Sequence, residues 1–312
     1  MEHRRLAPGT LWPAILRQTK HALSCGALQP IDTVQLAIEG GGVRFLVRQV
    51  SSLTRKEEQQ AQAHRLQTEK RPRANPFLPY EPDLFVTDIS DTHLALLNKF
   101  NVIDDHLLIV TRKFERQETL LDLADFEALL ACMAEFDGIG FYNAGPEAGA
   151  SQPHKHLQIV PLPLGDIGPS VPIEPLLAAA DTQVSVGHVP GLPFRHAFAR
   201  CGLGDSTCAD SAKSALHCYR ALLEAAGVGA IESNGEACQA MPYNLLVTRR
   251  WMLLVPRSAE RVEGVSVNAL GFAGSLFVRD AVQMNVIGQL GPMTVLQRAA
   301  LPEHAERQGK VT

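Results

Sequence analysis

The chain's densest chemistry lies in one run, Phe141 to Val160, FYNAGPEAGASQPHKHLQIV. It places His154, His156 and Gln158 at two-residue intervals. On a β-strand such positions face the same way, so the three would form one polar row, with Lys155, Leu157 and Ile159 on the other side. Just upstream, Gly145, Gly149 and Ala150 leave the backbone uncovered, so that N–H groups can approach phosphate oxygens. Ser151 adds a hydroxyl donor, Gln152 stands beside it, and Asn143 and Gln158 supply neutral amides. An imidazole with an ordinary pKa near 6.5 is largely neutral at pH 7 and is a nitrogen nucleophile. Attack on phosphorus would give a covalent intermediate and split one hard displacement into two easier ones. A lone H-x-H is more often a metal ligand or a structural pair. The glycine loop, Ser151 and Gln158 together turn the reading toward phosphorus chemistry.

Several elements must position this run. Thr10 and Pro13 open a helix over 10–23, with Trp12, Ile15, Leu16, Thr19 and Leu23 at helical spacing. Val34, Leu36 and Ile38, then Val43, Phe45 and Val47, mark two strands joined at Gly40-Gly41-Gly42, a hairpin. Residues 51–75 are polar and mixed in charge and are expected to form a mobile loop with some helix. PFLPYEPDLFV is expected to be extended because of its prolines. Leu94–Leu97 and His106–Thr111 read as short strands. Asp122, with Asp125 three positions on, caps a helix carrying Leu123, Phe126, Leu130, Met133 and Phe136. Gly138–Asn143 and the segment ending at Pro161 read as strands around the small-residue loop. In the second half we expect a helix near Ser211–Ala226, strands Tyr243–Thr248 and Trp251–Val255 with Arg249-Arg250 as their turn, and a helix over Leu276–Leu290. The sum is an α+β fold with a mainly antiparallel sheet.

The totals set bounds. At about 150 residues per domain, 312 residues allow about two domains. Five prolines within 161–175 make that stretch the best boundary, separating 1–170, which carries the H-x-H-x-Q motif, from 171–312. With 29 Lys+Arg against 33 Asp+Glu the net charge is −4, which gives no footprint for nucleic acid or anionic lipid. No apolar run is long enough to span a membrane. The N-terminus, MEHRRLAPGTLWPAIL, has no apolar signal core and is read as mature and cytoplasmic. Six cysteines without a C-x-x-C pair read as scattered thiols, and no metal site is expected. Cys201, Cys208 and His196 are poorly spaced for one. The glycines at 40–42 precede a strand rather than a helix, so they are no dinucleotide fingerprint, and no P-loop sequence occurs.

The stretch GPEAGASQPHKHLQ closely resembles the motif of diadenosine tetraphosphate phosphorylases, also called ATP adenylyltransferases. These form the transferase branch of the histidine-triad superfamily, alongside galactose-1-phosphate uridylyltransferase. NPFLPYEPDLFV, LLNKFNV with HLLIVT, YNLLVTRRWMLLVPRS and NALGFAGSLFVRD resemble blocks of the same family in the same order, so the likeness runs from about residue 40 to 295. It implies a histidine-triad-like fold and one catalytic unit spanning both halves. It also implies reversible phosphorolysis of diadenosine tetraphosphate to ATP and ADP through an adenylyl-histidine. By position, His156 is the implied nucleophile, and the main chain of His154 helps fix its tautomer. Gln158 stands where hydrolase members carry a third histidine and would hydrogen-bond a phosphate oxygen. Asn143, Gly149 and Ser151 match phosphate contacts, Asn98 a nucleoside contact, and Thr248 and Met252 positions lining the nucleotide.

The implied partners are diadenosine polyphosphates, ATP, ADP and inorganic phosphate. No cofactor is expected to bind tightly, though Mg2+ would travel with the nucleotide. Arg48 and Arg55 are candidates for the family's phosphate-binding cation. Lys70, Arg71, Arg73, Arg249, Arg250 and Arg257 are weighed as polyphosphate contacts against a plain role as solvated charges. Trp251 and Met252 are weighed as base contacts against core packing. Two alternative functions stand beside this one: a sugar-1-phosphate nucleotidylyltransferase with the same covalent chemistry, and a non-catalytic dinucleotide sensor.

Overall fold

The structure is a computed structural model that describes residues 6–51, 75–180, 185–203 and 208–303. Short apolar runs supply the strands β3 (Phe85–Asp88), β4 (His93–Leu97), β5 (Leu107–Thr111), β6 (Gly138–Ala144), β7 (His156–Pro161), β8 (Ala197–Arg200), β11 (Tyr243–Val247) and β12 (Trp251–Pro256). They form one eight-stranded sheet in the order β3-β4-β5-β7-β6-β11-β12-β8. Each pairing is antiparallel. Strands from either side of the proline-rich 161–175 stretch therefore share one sheet.

Both faces of the sheet are covered, which is why its strands read as continuous apolar runs rather than alternating ones. On one face Leu157, Ile159, Tyr142, Leu245, Met252 and Leu254 share a core with three helices: α1 (Leu11–Cys25), α2 (Leu123–Glu135) and α4 (Cys208–Ala225). On the other, Phe141, Val160, Leu246, Leu253 and Val255 pack with the short helix α5 (Ala269–Phe272) and with α7 (Pro292–Ala299). The capping box of Asp122 and Asp125 opens α2 as its sequence implies. At α1 the hydroxyl of Thr10 instead donates to Ala7 O. The carboxylate of Glu135 accepts from the N–H groups of Gly9 (2.8 Å) and Leu11 (3.1 Å), placing a negative charge at the helix N-terminus.

A second sheet begins with the hairpin β1 (Thr33–Gly40) and β2 (Val43–Val50). Gly41 and Gly42 turn it with φ of 58° and 78°, the left-handed pair that a two-residue hairpin turn favours. The expected helix over 276–290 is corrected here. Ser275–Val278 is a strand, β15, lying parallel to β2, and the helix α6 (Ala281–Leu290) starts only after Asp280, whose side chain accepts from Gln283 N. Two small hairpins, β9 (Ala230–Ser233) with β10 (Glu236–Gln239) and β13 (Arg261–Val262) with β14 (Val265–Ser266), and the short helix α3 (Glu174–Leu177) complete the described elements. The loop expected over 51–75 lies almost wholly outside the described residues.

Candidate active site

β5, β7, β6 and β11 run side by side, so their registers bring distant residues into rows. Leu108, Gln158, Phe141 and Leu246 form one row. In the continuation of the same registers, Val110, His156, Asn143 and Asn244 form the next. Both rows face away from α1, α2 and α4. The β6–β7 ladder stops at Phe141–Gln158. Beyond it the amide of Gln117 fills the gap between the strands. Its Oε1 accepts from His156 N (2.9 Å), and its Nε2 donates to Asn143 O (2.9 Å) and His156 O (3.2 Å). One side chain thus replaces the missing backbone bonds and fixes the chain at His156.

The His156 ring is held from behind. Its Nδ1 lies 2.8 Å from His154 O, and a carbonyl can only accept, so Nδ1 carries the proton. Nε2 is left with its lone pair and has no hydrogen-bond partner among the described residues. Burial pushes the pKa of His156 down to about 4, so the ring is neutral at pH 7. The Phe77 ring, 5.4 Å away between centroids, packs against it.

His154 departs from its expected place in a row of three. β7 begins at His156, and His154 lies in the preceding segment, which bonds Glu115 and Gln117 instead: Lys155 N donates to Glu115 O and Gln117 N donates to Pro153 O, both at 2.8 Å. The ring's Nε2 donates to Thr111 O (2.9 Å) and Lys113 O (3.1 Å), and its Nδ1 accepts from Asn75 Nδ2 (3.0 Å). Phe77 and Phe114 meet it edge-on. Both ring nitrogens are committed, so the part of His154 that acts on the site is its carbonyl.

Gln158 is oriented by a relay. Asn98 Nδ2 donates to His106 Nδ1 (3.1 Å), so His106 carries its proton on Nε2 and donates it to Gln158 Oε1 (3.0 Å). The Gln158 amide must then turn its NH2 group outward as a donor. Burial lowers the pKa of His106 to about 4, which keeps this tautomer in place at neutral pH. Asn98 is thereby tied to Gln158 as well as to any nucleoside it meets.

The glycine loop forms a turn at Pro146–Ala148 between Gly145 (φ 93°) and Gly149 (φ 91°). A Cβ at Gly149 would stand 3.1 Å from both Val267 O and Asn268 Cβ. Asn143 Oδ1 accepts from Asn244 Nδ2 (2.8 Å) and Ala269 N (2.9 Å), so its Nδ2 is the end left to donate. Asn244 also donates to Ala148 O (2.8 Å) and accepts from Arg257 Nη1 (2.5 Å). Arg257 is 2% exposed. It donates further to Val267 O (2.8 Å), Ala259 O (2.6 Å) and Ala299 O (3.0 Å), and lies over the Phe272 ring. These acceptors are all neutral oxygens. Burial lowers its pKa to about 10, against the opposing pull of Glu260, so it stays charged. A positive charge therefore sits behind the cradle. Gly149, Ala150 and Gln152 are half-buried and Ser151 is exposed at the loop's open end.

Other expected contacts lie elsewhere. Met252 points to the helical face and is fully buried in that core, on the opposite side of the sheet from His156. Thr248 closes the β11–β12 turn, its hydroxyl accepting from Arg250 N and Trp251 N. It lies four residues beyond Asn244, about 13 Å along the strand. Trp251 packs on Phe198 and donates to Glu174, which also binds Arg250 (2.7 Å). Arg249 clamps the end of α2 through Met133 O and Phe136 O. Arg48 is buried against Ser275 Oγ, Leu164 O and the Phe277 ring. Arg55, Lys70, Arg71 and Arg73 lie outside the described residues.

Sequence reasoning missed His106, Gln117, Asn244 and Asn75. His106 is in phase with Leu108 and Val110, and Asn244 is a lone polar residue within an apolar strand; both were findable. Gln117 and Asn75 carry no local signal.

A buried neutral imidazole with one free nitrogen, amide donors on either side and a glycine turn backed by a guanidinium defines a nucleotidyltransferase type of site. A family model of the Ap4A phosphorylase N-terminal domain matches residues 1–179, and one of the ATP adenylyltransferase C-terminal domain matches residues 190–302. The chain belongs to the Ap4A phosphorylase family and is a nucleotidyltransferase.

Diadenosine 5',5'''-P1,P4-tetraphosphate phosphorylase 2 of Saccharomyces cerevisiae is 29% identical over 237 residues, 66% of this chain and 69% of that protein. Protein APA1 of the same yeast is 28% identical over 210 residues, 59% of this chain and 61% of that protein. The crystal structure of yeast Ap4A phosphorylase Apa2 superposes with a TM-score of 0.76 at 22% identity, covering 97% of this chain and 98% of that one. Its complex with Ap4A gives 0.75 at 21% identity, covering 96% and 100%. The folds are the same. Among the described residues no helix is long and apolar enough to cross a membrane.

Proposed function

We propose that this chain cleaves diadenosine tetraphosphate with inorganic phosphate to ATP and ADP, reversibly, through an adenylyl-His156 intermediate. The observation that carries the reading is the 2.8 Å contact of His156 Nδ1 with His154 O, which leaves Nε2 as the ring's one nucleophilic atom. Nε2 attacks the α-phosphorus, the P–N bond forms and the P–O bond to the departing ATP breaks. A phosphate oxygen then attacks the same phosphorus, the P–N bond breaks and ADP leaves. The NH2 groups of Gln158 and Asn143 donate to phosphate oxygens as charge builds on them, and the loop from Gly149 to Gln152 offers backbone N–H groups and the exposed Ser151 hydroxyl. Gln158 has no proton to deliver, which suits a leaving group that is already an anion.

Membership of the family and the yeast relative named for this activity support the substrate class. A divalent cation bound with the polyphosphate, the nucleoside contact at Asn98 and a cytoplasmic setting belong to the same proposal. So does the division at 170/171 into two parts of one catalytic unit. Asn244 and Arg257 reach the Ala148 carbonyl from the second part, which supports that reading.

Product analysis tests the proposal. With phosphate present the chain should release ATP and ADP in equal amounts, without it no net turnover should follow, and His156→Ala should abolish release while keeping the fold. Near-normal turnover by His156→Ala would sink the assignment. Formation of UDP-galactose from UDP-glucose and galactose-1-phosphate would point to a sugar nucleotidylyltransferase. Tight binding without products would point to a sensor.

A further inference from the structure

On the outer side of α1, His21, Cys25 and Asp83 bring an imidazole nitrogen, a thiol sulfur and a carboxylate oxygen within 4.8 Å of one another. We propose that these three residues form a surface site for a borderline divalent cation of the zinc class, with water in the fourth position. His21 and Cys25 are four residues apart on one helix, so their side chains stand one above the other. Asp83 comes from the turn Pro82–Leu84 that leads into β3. It is already held in place: its Oδ1 lies 2.8 Å from His21 Nε2, and Gln18 Nε2 donates to its main-chain oxygen at 2.6 Å.

The donor set selects the metal. Thiolate and imidazole favour zinc and its later transition-series neighbours, whereas magnesium and calcium prefer oxygen donors alone. Binding would replace the His21–Asp83 hydrogen bond by two metal–ligand bonds. The Cys25 thiol would lose its proton to solvent and the imidazole would bind as the neutral base. All three residues are exposed, so a cation can enter without rearrangement of the chain. α1 packs on the sheet face opposite His156, so this site is separate from the phosphate cradle. It would fasten α1 to the segment that carries Asn75 and Phe77, which touch His154 and His156.

Cobalt(II) titration of the full chain, freed of any affinity tag, tests this. The expected result is a thiolate-to-cobalt charge-transfer band with four-coordinate ligand-field bands, saturating at one cobalt per chain and removed by zinc. Cys25→Ser should erase the charge-transfer band. His21→Asn and Asp83→Asn should each weaken binding by about tenfold or more. These positions are on the surface, so thermal melts of the metal-free variants should match the parent. A missing thiolate band, a band that persists in Cys25→Ser, or affinity unchanged in His21→Asn would overturn the site. None of these readouts involves the enzymatic reaction.

Discussion

At His156 one carbonyl decides the chemistry, because a proton held on Nδ1 leaves Nε2 as the base and nucleophile. With a pKa near 4, this ring should remain unprotonated well below the usual histidine range. The acid limb of kcat assigned to the nucleophile should therefore fall near pH 4 rather than 6.5, read from single-turnover adenylylation rates across pH. Gln158 owes its orientation to His106, whose phase with Leu108 along the strand is the signal that could have marked it. Gln158→Ala should lower kcat by about a hundredfold or more, the usual effect of losing a donor to a developing anion. His106→Phe keeps the donor but frees its amide to flip, so the expected loss is smaller, about tenfold, in kcat with little change in KM. An effect of His106→Phe confined to KM would contradict the relay.

At the scale of elements, the motif is half strand and half loop. The H-x-H-x-Q spacing suggested one strand with three residues facing one way. The ladder cannot extend to His154, because residues 153–155 bond the segment 115–117 instead. Lys155 anchors that segment from the other side. Its Nζ lies 2.6 Å from Asp125 Oδ2 and 3.2 Å from Glu115 Oε2, and Asp125 also meets His93 Nε2 at 3.1 Å. Burial alone would push the Asp125 carboxyl up and the Lys155 ammonium down. For Asp125 the hydrogen bond with His93 and the attraction of Lys155 outweigh it, and for Lys155 the attraction of Asp125 and Glu115 does, so Asp125 ends below its usual range and Lys155 above. Lys155→Met should leave the buried Asp125 carboxylate without its lysine cation and cost about 3–5 kcal/mol in urea unfolding. Gly149→Ala forces a side chain into φ 91° against Val267 O and Asn268. It should cost about 1–3 kcal/mol and raise KM for the dinucleotide, since the cradle must shift.

At the scale of the whole molecule, a chain of net charge −4 handles a polyanion by local rather than global charge. Arg257 supplies a buried cation that donates to the neutral oxygens of Asn244 and Val267, and the cradle's amides carry its influence to the site. The same burial makes stability depend on pH. His106 and His156 have folded pKa values near 4, below the ordinary 6.5, so the unfolded chain binds more protons between those limits. Stability is full above pH 6.5 and is lost as pH falls toward 4, by roughly 3 kcal/mol for each ring. Urea midpoints that stay level from pH 7 to pH 5 would contradict this.

The α+β class, the hairpin around Gly41-Gly42, the capped helix α2 and the motif from Asn143 to Gln158 are all legible in the amino-acid order alone. Each of these is written in local periodicity, turn chemistry or close spacing, and local physics acts on neighbours in the chain. The amino-acid order also carried the family resemblance, since blocks in fixed order survive without any knowledge of contacts. Leu276–Val278 read as the start of a helix because a strand's pairing partner, here β2, lies more than two hundred residues away. That Met252 faces the helices and that both ring nitrogens of His154 are bound away from the site became visible in the folded chain alone. The same holds for Gln117, His106, Asn244 and Arg257, which hold the site from segments far apart in sequence, and for Asp83 meeting His21 and Cys25. Hydrogen bonds and burial depend on which strands lie side by side, and no spacing along one strand records its neighbours.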